Sequence, residues 1–137
     1  MRINVGDSCN ICVSARSFRN YAKLYVNQNE TYQFEMIDVE EPWRDFICYS
    51  PLFGFRKVWM YWFVKPRISI GNYFALSGGI GINDDFLFII FSNEKDVMSG
   101  NEVKMPANGE LFLFANDAKY FYFNNHGKVN IKITRKN

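Results

Sequence analysis

Val129-Asn130-Ile131-Lys132-Ile133-Thr134 alternates apolar and polar residues without a break. Side chains of an extended chain point to opposite faces in turn, so this stretch predicts a β-strand with one buried face. Tyr32-Gln33-Phe34-Glu35-Met36 repeats the pattern. Phe86 to Phe91 and Leu111 to Ala115 are short continuous apolar runs instead. Their brevity and aromatic content predict strands buried on both faces rather than helices. Ser8 to Ala15, Lys23 to Val26 and Tyr73 to Leu76 are further strand candidates.

Turn signals separate these runs: Asn27-Gln28-Asn29, Ser77-Gly78-Gly79, Asn83-Asp84-Asp85, Ser99-Gly100-Asn101, Ala107-Asn108-Gly109 and Asn124-Asn125-His126-Gly127. Each supplies residues that tolerate positive φ or hydrogen-bond their own backbone. No segment carries a 3.6-residue apolar stripe of helical length. Glu40 to Arg67, which holds Pro42, Pro51 and Pro66, is the least regular stretch. Many short strands with regular turns predict an all-β fold, an antiparallel β-sandwich or barrel, as one domain over residues 1–137.

The composition agrees. Of 137 residues, 48% are hydrophobic, and 14 Phe, 8 Tyr and 3 Trp favour pleated, half-buried surfaces. A net charge of +2, from 16 basic and 14 acidic residues spread along the chain, leaves no clustered basic face for nucleic acid. Met1-Arg2-Ile3-Asn4-Val5 leads into no apolar signal region, and Val58 to Val64 is too short to span a bilayer. Cys9 and Cys12 have C-x-x-C spacing, but no second pair completes a zinc site. Together these features predict a cytoplasmic protein with reduced thiols and no membrane or nucleic-acid partner.

Catalysis finds little support. His126 is the single histidine, so any Ser-His-Asp or Cys-His arrangement must use it, and it sits in a surface turn motif. Glu40-Glu41 and Asp84-Asp85 are adjacent carboxylates that point apart on an extended chain. Ser77-Gly78-Gly79-Ile80-Gly81 is followed by no helix that would present an N-terminus to phosphate. No enzyme is expected.

The informative segment is Asn116-Asp117-Ala118-Lys119-Tyr120-Phe121-Tyr122-Phe123-Asn124-Asn125-His126-Gly127, between two strand candidates. Asp at its start and two Asn at its end bring hard oxygen ligands together if the ends close, and calcium takes six to eight such oxygens. The same residues are also ordinary turn formers. On the segment alone both readings stand.

The segment resembles the sugar-binding loop of the PA-I galactophilic lectin family, whose pattern is N-D-x-x-x-x-x-x-N-N-x-G. Asn108 to Ala115, Phe74-Ala75-Leu76 and Gly79-Ile80-Gly81 extend the likeness upstream. Val13-Ser14-Ala15, Asn29 to Phe34, Trp43 and Asp45 resemble the N-terminal half of bacterial members. The resemblance implies a galactose-binding-like, jelly-roll β-sandwich in which Ca2+ bridges protein and two neighbouring sugar hydroxyls. It implies metal ligation by Asp117, the Phe121 carbonyl, Asn124 and Asn125, with a further carbonyl near Asp45-Phe46. Asp117, Ala118 and Asn124 would meet the sugar.

The expectation is therefore a calcium-dependent, galactoside-type lectin, with a homo-oligomer supplying avidity. The chain departs from the pattern in two ways. It has no histidine before His126, where Ser50 to Phe63 is aromatic instead, and it carries Lys119 beside Asp117. Trp59, Tyr61 and Trp62 are candidates to stack on a sugar. The departures motivate the alternative, a structural or protein-interaction sandwich that has lost both ligands.

Overall fold

The structure is a computed structural model that describes residues 1–45, 48–56 and 65–137. Trp59, Tyr61, Trp62, Phe46 and the Val58 to Val64 run lie outside the described residues. The chain passes through β1 (Ser8–Ser14), β2 (Asn20–Val26), β3 (Thr31–Asp45) and β4 (Cys48–Tyr49). It continues through β5 (Leu76–Ile80), β6 (Leu87–Ile89), α1 (Glu94–Ser99), β7 (Asn101–Lys104), β8 (Gly109–Ala115) and β9 (Asn125–Arg135).

These strands form two antiparallel sheets. In the first, β9 lies between β1 and β3, and both β7 and β4 pair with the far edge of β3. The second runs β2-β8-β5-β6. The frame is an antiparallel β-sandwich, as expected.

The alternation in β9 does what its period requires. Val129, Ile131 and Ile133 are fully buried, while Lys128 and Lys132 face water. They meet Val13, Tyr32 and Phe34 of their own sheet, and Leu24, Val26, Leu76, Leu111 and Leu113 of the other, in one core. In β8 the second face is buried too. Phe112 and Phe114 pack with Tyr122, Phe18, Ile68 and Leu87 in a satellite cluster outside the sheet. Burying one such side chain stabilises by about 1.5–3 kcal/mol, so β8 contributes from both sides.

Several local expectations are corrected. Ser77-Gly78-Gly79 is no turn but the middle of β5, buried throughout. Its glycines are needed because rings lie on them. A Cβ at Gly79 would sit 2.3 Å from Cζ of Phe112, and one at Gly78 would sit 2.8 Å from Phe88. Of Tyr73 to Leu76 just Leu76 lies in a strand, as the start of β5: Phe74 takes φ 66, and Tyr73 forms an isolated bridge with Phe55. The Asn125-His126-Gly127 turn is instead the start of β9, with exposed His126 opposite Arg44. Glu40 to Asp45 continues β3, made irregular by register shifts between Met36 and Arg44. A helix, α1, also exists. It buries no residue, so it has no stripe to read, and it starts where Asn93 accepts from the Asp96 amide at 2.9 Å. Among the described residues no helix is long and apolar enough to cross a membrane. Cys9, Cys12 and Cys48 are free thiols.

Candidate functional site

Asp117 follows β8 and Asn125 opens β9, so the segment between them links the two sheets. Its two ends are held by hydrogen bonds to buried groups. Asn116 is fully buried: its Nδ2 donates to the carbonyls of Ile68 (3.0 Å) and Asn72 (2.9 Å), and its Oδ1 accepts from the Ile68 amide. That fixes the loop before β5 against the end of β8. Asp117 is 2% exposed, and its Oδ1 accepts from the Ala118 amide at 2.7 Å.

Tyr122 joins the two ends. Its hydroxyl accepts from the Asp117 amide at 3.3 Å and donates to the Ala115 carbonyl. Its carbonyl accepts from the Asn125 amide at the end of a 3-10 turn, Tyr122–Asn124. The backbone of Asp117 and that of Asn125 are therefore both bonded to one residue. Burial pushes the Tyr122 phenol up to about 12, against the opposing pull of Arg67, so it stays protonated.

Arg67 stands behind Tyr122. Its guanidinium donates to the Tyr122 hydroxyl at 3.2 Å and to the Phe18 carbonyl at 2.6 Å, and its backbone amide donates to the Asp117 carbonyl at 3.0 Å. Asp84 accepts from Nε and Nη2 of Arg67. Burial alone would raise the Asp84 pKa, but the hydrogen bonds and charges of Arg67 and Arg19 outweigh it and hold the carboxyl below its ordinary range.

The amide side chains complete the arrangement. Asn125 is fully buried, and its Nδ2 donates to the Ala15 carbonyl at 3.1 Å, which fixes the orientation of the amide. Its Oδ1 and that of Asn124 are buried with no hydrogen-bond partner among the described residues. A buried acceptor left unsatisfied costs about 1–3 kcal/mol, so these two oxygens of adjacent residues are open to a donor or a cation. Asp45, also buried, stands opposite Asn125 in the β3–β9 ladder.

Of the residues expected at the site, the backbones of Asp117 and Asn125 are thus linked through Tyr122, and Asn124 closes the 3-10 turn that leads into Asn125. Ala118 is 5% exposed, its amide taken by Asp117 and its carbonyl by the Phe121 amide at 3.0 Å. Phe121 precedes the 3-10 turn with its side chain partly exposed. Lys119 is exposed, and its ammonium lies 5.9 Å from the centre of the Tyr120 ring.

Among the described residues no group of three or more His, Cys, Asp or Glu side chains gathers to hold a metal. The loop differs in kind: one carboxylate and two amide oxygens, the last two buried and unsatisfied, fit a hard cation and no soft one. Sequence reasoning missed Arg67, Asp84 and Tyr122 as the frame of this site. Asp84 reads as a turn residue and Tyr122 as one aromatic among many, and nothing periodic marks an ion pair across sequence.

The two packed antiparallel sheets define a β-sandwich whose fold is shared with a solved structure. The N-terminal domain of EclA, described as a PllA-like lectin, is a solved structure of similar fold. The TM-score is 0.54 over 93% of this chain and 94% of that one, at 14% sequence identity. The likeness read in the sequence holds at the level of fold. No family model matches the sequence, and no curated protein matches it.

Proposed function

We propose that this chain is a calcium-dependent lectin for galactose-type glycans, a binding protein rather than an enzyme. The observation that carries the reading is the pair of buried, unsatisfied Oδ1 atoms of Asn124 and Asn125. The fold shared with the PllA-like lectin supports the carbohydrate part. Asp117, Asn124, Asn125 and the Phe121 carbonyl would hold the ion, with a carbonyl near Asp45 as a further ligand. When bound, calcium supplies coordination positions that two neighbouring sugar hydroxyls fill in place of water.

The chain's own residues set the selectivity. The Asp117 carboxylate accepts a hydrogen bond from a sugar hydroxyl, and Asn124 flanks the same group. Ala118, being small, lets the sugar approach the loop backbone. One carboxylate implies modest calcium affinity, and few direct contacts imply weak binding per site. Avidity then requires several copies, which favours a homo-oligomer.

Thermal melts test this: the protein alone, with calcium, with chelator, and with calcium plus methyl galactoside. Ligands that bind only the folded state raise the melting temperature. Calcium should raise it and the galactoside should raise it again. A melt indifferent to calcium and sugar assigns the chain to protein interaction instead.

A further inference from the structure

We propose that Tyr122, braced by Arg67, is the positioning residue that sets the calcium affinity of the loop. This rests on the calcium reading above and deepens it. Metal ligands gain affinity when outer groups fix them before the ion arrives, and removing such a group typically costs 10–100-fold. Here the ligands come from two ends of a loop, and an unbraced loop must order them at the moment of binding.

Tyr122 is the group that spans both ends. Its hydroxyl accepts from the Asp117 amide while its carbonyl accepts from the Asn125 amide. Its ring is buried with Phe112 and Phe114, and Phe18 meets it edge-on at 5.3 Å. The hydroxyl is held in turn by Arg67 Nη1 at 3.2 Å and by the Ala115 carbonyl. Arg67 itself cannot drift. Its guanidinium lies 3.6 Å from the centre of the Phe18 ring and 3.8 Å from that of Phe114, with Asp84 across its edge. A planar fork serving Asp84, Phe18 and Tyr122 at once is a task for arginine that lysine does not perform. Its backbone amide also holds the Asp117 carbonyl. Neither residue touches the ion; both act through Asp117 and Asn125.

The test is calorimetric titration with calcium alone, then with methyl galactoside at saturating calcium. The variants are Tyr122→Phe and Arg67→Lys. Tyr122→Phe keeps the ring and loses the hydroxyl; Arg67→Lys keeps a cation beside Asp84 and loses the fork. Calcium affinity should fall about tenfold in each, with sugar affinity of the calcium-saturated protein unchanged. A merely structural role would lower the melting temperature and leave calcium affinity alone. Wild-type calcium affinity in whichever variant folds overturns the proposal. Wild-type protein that takes up no calcium removes the lectin reading and the positioning role with it, whereas normal uptake with unaffected variants removes the positioning role only.

Discussion

Asp84 grips Arg67 with both carboxylate oxygens, Oδ2 on Nε at 3.0 Å and Oδ1 on Nη2 at 2.8 Å. The arginine side chain is 2% exposed and the aspartate side chain 32%. Breaking a buried pair from one side leaves a charge uncompensated and costs about 3–5 kcal/mol. Solvent screens the exposed Asp84, so Asp84→Asn should cost less than that, about 1–2 kcal/mol, read by urea denaturation at neutral pH. A midpoint unchanged from wild type would show the pair to be energetically idle.

Acid should undo the same contact. The Asp84 pKa is lowered from its ordinary 3.8, so the folded state binds the proton less readily than the unfolded chain. Its contribution is complete above that ordinary value and is lost as pH falls through the lower, folded one. Glu30 behaves alike: burial would raise its pKa, but Arg2, the Asn27 amide, Tyr32 and Arg135 together hold it low. Melting temperature should therefore decline below about pH 4, and Asp84→Asn should flatten the decline. An identical acid profile in that variant would contradict the assignment.

Trp43 donates its indole Nε1–H to the Phe74 carbonyl at 2.6 Å, and the two rings meet edge-on at 5.9 Å. Trp43→Phe leaves that buried carbonyl without its donor and a gap beside Phe74. The expected loss is about 2–3 kcal/mol, measured by guanidinium denaturation followed by circular dichroism. A loss below about 0.5 kcal/mol would mean that the carbonyl finds another donor.

Gly79→Ala puts a methyl group into the Phe112 ring and 2.7 Å from Leu87 Cδ2. Overpacking of this kind costs about 1–3 kcal/mol and more where neighbours cannot yield. With β8 paired on one side of β5 and β6 on the other, the expected cost lies at the top of that range. A variant as stable as wild type would show that Phe112 swings aside freely.

Asn124→Asp probes the calcium reading from the opposite direction. A second carboxylate raises the charge offered to a cation, and without one it leaves a charge at a buried position. The variant should melt lower than wild type in chelator, and the calcium-induced rise should be larger. Equal shifts in both proteins would mean that this side chain is no ligand.

The strands were legible where one physical demand dominated. Val129 to Thr134 has a single buried face, so the period of two survives into β9. Leu111 to Ala115 reads as buried on both sides because the Tyr122 cluster covers its outer face. Gly78 and Gly79 misled for the converse reason: ring contact and turn formation both call for glycine, and only the neighbouring strands decide which applies. Near the start of β9, Gly127 takes φ 128, and a Cβ there would meet the Pro42 carbonyl at 2.8 Å. That approach is made by β3, far away in sequence. For the site, the spacing from Asp117 to Asn124-Asn125 was visible, and the groups that hold those residues in place were not. Arg67 and Asp84 reach the loop through a carbonyl, a hydroxyl and two aromatic rings, none of which leaves a pattern in the chain.

The place of β9 between β1 and β3 has a kinetic consequence. During synthesis β1 and β3 leave the ribosome long before the strand that must separate them. Until it arrives, each offers β9 an unpaired backbone edge with apolar side chains, the kind of template on which nascent chains associate. Assembly of this sheet is governed by pairing between distant segments, which is slow to nucleate. Production at lower temperature, with slower accumulation of half-made chains, should therefore favour soluble protein.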